Sequence, residues 1–323
     1  MMVFTARIAP LSAFGTPLKG DTLFGQFCWA LRNRHGEKRL AHLLDGYVSG
    51  HPFAVISDAL PADHLPRPAL PGFVFEPLEH EDRKAAKKRI WLPIERFNEQ
   101  VTEWLRHCLP GGEMPGGDVK SHPHPHNAID RRTGTTGEGF APYTATRHWY
   151  DKGSLLDIHV VLDETKLSPA ELELALRDIG ELGFGRDASV GLGRFTVDAF
   201  SKTELPSQSE ANAWLTLAPC AQQGLVWSEA RCFYTVFTRF GRHGDIGVHH
   251  GNPFKSPVLL ANTGAVLTPT QFRSTFFIGQ GLGGAGLLSK AIPETVHQGY
   301  APVLSIRLPE MEDVINFPAG EDA

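Results

Sequence analysis

Four cysteines in 323 residues, none in a CxxC pair, are too few and too scattered for a disulfide framework or a thiolate metal site. Cys28 falls in a helical apolar pattern and Cys232 in a strand-like run, and all four, with Cys108 and Cys220, are expected to be reduced, buried thiols. The opening MMVFTARIAP lacks a basic stretch followed by an apolar core, which excludes a secretory signal. No apolar run approaches the roughly 20 residues that span a bilayer, so a cytoplasmic protein is expected. Catalytic signatures are missing too: there is no GxSxG, no HExxH, no DxD pair and no GK[ST] after a glycine turn. Asp21, Asp58 and Asp187 are scattered acids that no spacing pairs. Positive charge is short as well. Lys and Arg number 31 against 36 Asp and Glu, a net charge of −5, which argues against wrapping nucleic acid through bulk charge but leaves local basic grooves open.

Glycine and proline are plentiful, at 33 and 24, and favour turns and long connections over a helical bundle. The length suits two domains in close contact, about 1–205 and 206–323. Met2–Ala9 reads as a strand. TLFGQFCWALRNR follows as a helix with Leu23, Phe24, Phe27 and Leu31 on one face and Asp21 as its N-cap. Glu37–Tyr47 reads as helix and Pro52–Leu60 as strand. Residues 72 to 136 look inserted. They hold the charged LEHEDRKAAKKR, whose Arg83–Arg89 stretch balanced by Glu79, Glu81 and Asp82 reads as a solvated helix face, and a helix-like run at Asn98–Leu109. PGGEMPGGDVKSHPHPHN, lacking apolar periodicity, reads as a mobile loop. Strand signals resume at GFAPYTATRHWY and SLLDIHVVLD.

Ser168, Pro169 and Glu171 then spell a capping box with proline at the first helical position, and Leu172, Ala175, Leu176, Ile179 and Leu182 form the stripe of that helix. RFTVDAF closes a βαββαβ order, the plan of a ferredoxin-like, RRM-like domain in an α+β protein. From Trp214 a second strand-rich set runs to YAPVLSIRLPE, with its own glycine cluster, GQGLGGAG at 279–286. A glycine cluster in each half suggests a degenerate duplication into two such domains.

The first cluster, ELGFGRDASVGLGRF, carries Gly183, Gly185, Gly191 and Gly193. Dinucleotide and P-loop sites place the glycine turn before a helix, so that the anion meets the helix N-terminus. Here the helix comes first and a strand follows, the wrong end of the dipole for a phosphate. A nucleotide cofactor is disfavoured on that ground. Two readings stay open: a backbone clamp for a polynucleotide, with Arg186, Ser189 and Arg194 adding polar contacts, or a glycine cap with no ligand. FGTPLKGDTLFG is a glycine turn running into a helix, where Thr16 and Lys19 could meet an anion or merely cap it. SHPHPHNAIDRRTG offers His122, His124 and His126 for metal or acid–base work, with a solvated loop as the plainer reading. The adjacent Arg131 and Arg132 suit a phosphate backbone. TRFGRHGD is one more basic turn, at Arg239, Arg242 and His243.

FGTPLKGDTLFG, HNAIDRRTG and GFGRDASVGLGRF, with PFAVISDALPADHLPRP and the late GQGLGGAG, resemble the RAMP superfamily of CRISPR-associated proteins over about Val3–Leu308. Within it the set is most similar to the type III-A (Csm) effector subunit that caps the crRNA 5′ end. The resemblance implies two ferredoxin-like domains and an inserted thumb-like element. It implies a grip on the repeat-derived 5′ tag, contacts with the large Palm-domain subunit and the first backbone RAMP subunit, no cofactor, and no nuclease activity. Carried over by motif, Gly183, Gly185, Gly191 and Gly193, and Gly281, Gly283 and Gly284, would approach RNA backbone. Thr16, Lys19, Arg131 and Arg132 rest on position and chemistry. The alternative within the superfamily is a metal-independent crRNA-processing endoribonuclease using His122, His124, His126 or His148. No RNP1-like aromatic motif is present, so base stacking on the sheet is not expected.

Overall fold

The computed structural model describes residues 1–78, 82–114, 116–136, 141–222, 226–249 and 251–310. Glu79 and Glu81, the acids expected to balance the 83–89 stretch, lie outside the described residues. The chain begins with β1 (Met2–Pro10), α1 (Gly20–His35), α2 (Glu37–Leu44) and β2 (Ala54–Pro61). Next come β3 (His64–Pro66), α3 (Arg83–Lys88), β4 (Arg89–Pro93), α4 (Trp104–His107), β5 (Leu109–Pro110), β6 (Lys120–His126) and β7 (Tyr143–Trp149). β8 (Leu156–Leu162), α5 (Pro169–Leu182) and β9 (Phe195–Lys202) complete the first half.

Its sheet runs β2-β8-β1-β9, antiparallel throughout, with Phe4 opposite Val160 and Ile8 opposite Leu156. α1 packs on β2 and α5, burying Leu23, Phe24, Phe27 and Leu31, the stripe that the helical spacing predicts. α5 starts as the sequence predicts. The Glu171 amide donates to Ser168 Oγ, and Glu171 Oε2 accepts from the Ser168 amide at 2.9 Å. Leu172, Ala175, Leu176 and Ile179 are buried, but Leu182 is exposed, because the helix is already ending there at Gly183. Ser168→Ala removes the hydroxyl cap and should cost about 0.5–2 kcal/mol, read as a lower denaturant midpoint with an unchanged slope.

The second half holds β10 (Ala213–Thr216), β11 (Val236–Arg239), β12 (Val258–Ala261), β13 (Val266–Leu267), β14 (Phe277–Gly279), β15 (Leu282–Gly283), β16 (Val296–His297) and β17 (Tyr300–Ile306). Its main sheet is β13-β10-β17-β14, and β11-β12 and β15-β16 form separate two-stranded ribbons. Among the described residues no α-helix follows α5, so a second βαββαβ unit complete with helices is not what folds here; the half is strand and turn. β8 and β17 are buried along their whole length, as strands covered on both faces must be. At the edge of β2 the fully buried Gln298 amide substitutes for a missing strand. Its Oε1 accepts from the Ile56 amide at 2.8 Å and its Nε2 donates to the Ile56 carbonyl at 2.7 Å.

The inserted region is a structural bridge. β3-β4-β5 form a sheet whose core, with Phe97 and Trp104, is continuous with Leu215, Leu304 and Ile306 of the second half. α3 covers the 83–88 stretch, and Asn98–Leu109 yields a 3-10 turn followed by α4. SHPHPH is a correction. Its residues form β6, paired in register with β7 from Lys120–Trp149 to His126–Tyr143, so the second part of the expected mobile loop is a hairpin arm. Cys108 and Cys220 are buried and free, and burial pushes both thiols up to about 12. Among the described residues no helix is long and apolar enough to cross a membrane.

Candidate nucleic-acid interface

Three segments meet beside the first sheet: the β1–α1 connection (11–19), the α5–β9 connection (183–194) and the β6–β7 hairpin. Because α5 ends at Leu182 and β9 begins at Phe195, the glycine loop stands between a helix C-terminus and a strand, as the sequence order requires. The Gly193 amide donates to the Ala13 carbonyl at 2.7 Å, the Arg186 amide to Thr16 Oγ1 at 3.0 Å and the Arg194 amide to Ser12 Oγ at 2.9 Å. Phe14 and His148 exchange both backbone bonds, tying the hairpin to the same connection. The Arg186 guanidinium donates to the Thr146 carbonyl of β7 at 2.5 Å. The result is a stitched platform.

The glycines divide into two kinds. A Cβ on Gly193 would stand 2.1 Å from the Phe184 carbonyl oxygen, and one on Gly183 or Gly185 would meet Leu192 O or Thr16. Their lack of a side chain is consumed by the protein's own backbone. Gly191, at φ +91°, has nothing within 4 Å of a would-be Cβ and faces open space. The second cluster behaves alike. Gly281 packs on Tyr47 and Gly283 on Thr295, while Gly284 is open.

Around Gly191 stand exposed Ser189, Val190 and Arg194, with Arg186 half-exposed and 3.4 Å from Asp187. Arg194 makes no side-chain bond among the described residues and is the freest cation of the platform. Arg147, which the sequence did not single out, lies opposite His122 on the hairpin, with a buried Nε that has no hydrogen-bond partner. His122, His124 and His126 share one strand parity, and His126 stacks on Tyr143 at 4.8 Å. No trio of His, Cys, Asp or Glu among the described residues is placed to hold a metal. His148, on the other parity, meets Ser121 Oγ at 2.8 Å, and burial, then the Arg186 charge, lowers its pKa. Arg131 and Arg132 sit in the connection beyond the hairpin strands. Arg132 is 3.4 Å from Asp130, and Arg131 is exposed.

Several residues chosen for ligands work inside the chain. Lys19 donates to the buried Asp58 at 2.7 Å and to Thr263 Oγ1 at 3.2 Å, so its ammonium joins the halves. Asp21 does not cap α1, whose N-cap is Lys19. Its carboxylate instead takes two bonds from Arg239, at 2.6 and 2.9 Å, which turns the 239–243 basic turn inward. His243 is buried against Ser289. Arg239 and Lys19 lie 218 and 39 residues from their acids, a separation at which no local pattern signals pairing.

No family model matches the sequence, and no curated protein matches it. Solved structures do. A Csm1–Csm4 cassette in complex with pppApA aligns over 96% of this chain and 99% of that one at 18% identity, with a TM-score of 0.60. The cassette in complex with cA4 gives 95%, 99%, 18% and 0.60. A Csm3–Csm4 subcomplex of the type III-A CRISPR-Cas interference complex aligns over 94% and 99% at 12% identity, with a TM-score of 0.55. Identities this low speak for fold alone, and over 94–96% of this chain that fold is shared with Csm4, the subunit common to these solved structures.

Proposed function

We propose that this chain is a non-catalytic crRNA-binding subunit of a type III-A effector, gripping the repeat-derived 5′ tag and bridging the large Palm-domain subunit to the backbone filament. The observation that carries the reading is the stitched platform, on which Gly191, Ser189, Arg186 and Arg194 form an open, locally cationic surface on a net-acidic protein. Arginines contact phosphate without reading sequence, which suits an RNA whose tag is constant. The solved structures of like fold are assemblies, Csm4 with Csm1 and Csm4 with Csm3. The β11–β12 ribbon supports partnership too, since Tyr234, Val236, Phe240 and Leu259 leave large apolar surface exposed.

Arg186→Ala combined with Arg194→Ala is expected to weaken binding of single-stranded repeat RNA at least tenfold, since a hydrogen bond to a charged group is worth about 1.5–3 kcal/mol. The slope of log K against log salt should flatten by about 0.7 per lost phosphate contact. Filter binding of the chain co-expressed with its neighbours, across a salt series, measures both. Unchanged affinity and slope would remove the platform from the interface. Incubating the purified chain with repeat RNA in EDTA tests the non-catalytic part, and sustained specific cleavage would favour the endoribonuclease alternative, in which a hairpin histidine takes the 2′-OH proton as that oxygen attacks the phosphate and the 5′-oxygen leaves.

A further inference from the structure

The three histidines of SHPHPH add nothing to the surface of glycine and arginine. In β6 they alternate with Pro123 and Pro125, and the register with β7 places His122, His124 and His126 on one face, opposite Arg147, Ala145 and Tyr143. The prolines fix φ at alternate residues, so the spacing of the imidazoles is set before any ligand arrives. None of the three rings makes a hydrogen bond among the described residues. His64, His148, His159 and His243, by contrast, are each committed to an oxygen.

His124 and His126 are the pair that fits an ion. Their ring centres lie 5.0 Å apart, with the planes inclined at 74°. Two imidazoles on one tetrahedral ion, each bound at about 2.0–2.1 Å, bring their ring centres to about 5 Å. His126 lies flat on Tyr143, at 4.8 Å and 5°, which fixes its plane. The nitrogen lone pairs of an imidazole lie in the ring plane, so stacking leaves them free. Nε2 of His126 is covered, but Nδ1 is reachable and has no partner. The His124 ring is exposed and free to turn towards it, with only the small Ala145 opposite on the facing strand. His122 stands four residues from His126, at about 3.3 Å per residue, too far to share an ion with it. It also faces Arg147, whose charge works against any cation at that end.

We propose that His124 and His126 form a two-imidazole site for a late divalent transition-metal ion, of the class of Cu2+, Ni2+ and Zn2+, on the hairpin arm. With no third His, Cys, Asp or Glu placed beside the pair among the described residues, water fills the remaining positions and the ion exchanges readily. The pair offers nitrogen rather than the oxygen ligands that Mg2+ and Ca2+ require. The site stands or falls independently of RNA binding. Its test uses the full chain without a histidine tag and Cu2+ alone, added below one equivalent. Electron paramagnetic resonance is expected to show two nitrogen donors on the ion. His124→Gln and His126→Gln should each remove one donor and weaken binding at least about tenfold, since loss of even an outer partner of a metal ligand costs about 10–100-fold. His122→Gln, an exposed change on the same face, should alter neither spectrum nor affinity, and Mg2+ should not compete. His124 is exposed, so His124→Gln should melt with wild type in the absence of metal, which separates a lost ligand from a lost fold. A spectrum and affinity unchanged in His124→Gln, or a loss in His122→Gln equal to that in His124→Gln, overturns the site. So does Cu2+ binding no tighter than that of Mg2+.

Discussion

Gly193→Ala is expected to destabilise the chain by about 3 kcal/mol or more, whereas Gly191→Ala should leave it folded with weakened RNA binding. Both glycines have positive φ, +75° and +91°, which costs an L-residue about 1–2 kcal/mol. Only at Gly193 is there a second cost. Its Cβ would overlap the Phe184 carbonyl and amide, which are backbone and cannot rotate away. The Phe184 amide donates to the Gly193 carbonyl at 2.9 Å, and the Gly193 amide to Ala13 at 2.7 Å, so moving residue 193 pulls apart the join between the α5–β9 and β1–α1 connections. Overpacking of this kind adds about 1–3 kcal/mol. At Gly191 the methyl points into open space, and the loss is the conformational strain alone. If RNA backbone lies over this loop, that methyl occupies the closest line of approach, and affinity should fall while stability drops by no more than the strain of about 1–2 kcal/mol. Urea melts and filter binding of the two variants separate the cases. Wild-type RNA affinity in Gly191→Ala would reduce Gly191 to a turn residue, and a stable Gly193→Ala would contradict the packing described.

The contrast shows what was legible in the sequence. Direction was legible: helix, glycine loop, strand, and with it the exclusion of a helix N-terminal phosphate site. So were β1, α1, α2, β2, β8, α5 and β9 of the first half, because Ser168, Pro169 and Glu171 write a local cap, and Leu23, Phe24, Phe27 and Leu31 write a local stripe. What each glycine is for was not legible. A glycine that admits its own carbonyl and one that admits a ligand look the same in a one-letter string, and Gly193 and Gly191 are two residues apart. Prolines misled in β6. An antiparallel ladder uses amides of alternate residues, and Pro123 and Pro125 share one parity, leaving the other free for pairing. In the second half the strand-rich runs contain β10–β14 and β17 but not β15 or β16, and the helices expected there came from an analogy between glycine clusters, not from any 3.6-residue stripe. Charges were the least legible. Lys19 beside a glycine turn looks like an anion ligand until Asp58 is placed against it, and the pairing of Asp21 with Arg239 depends on the second half folding back onto α1.

That last pairing carries the other large effect. Asp21→Ala should cost about 3–5 kcal/mol, the usual loss when one member of a buried ion pair is removed and the other is left uncompensated. The Asp21 carboxylate is fully buried, fixed by both arms of Arg239, with His297 Nε2 3.4 Å away. Arg239 in turn lies over the Phe237 ring at 4.7 Å and keeps only 17% of its side chain exposed. Burial alone would raise the carboxyl's pKa, but His297 and Arg239 more than offset it and hold Asp21 well below the usual carboxylate range. A pKa lower in the folded than in the unfolded state means that the unfolded chain takes up the proton first. The contribution is therefore complete above the ordinary aspartate value of about 3.9 and is lost as pH falls through the folded value. The stability gap between wild type and Asp21→Ala should accordingly be flat from neutral pH down to about pH 5 and close in stronger acid. Denaturant melts of both proteins from pH 7 to pH 3 measure this. A gap below about 0.5 kcal/mol at pH 7, or one that widens on acidification, would mean that the halves are held by the shared apolar core and the Gln298 and Lys19 contacts, with the buried pair setting their alignment only.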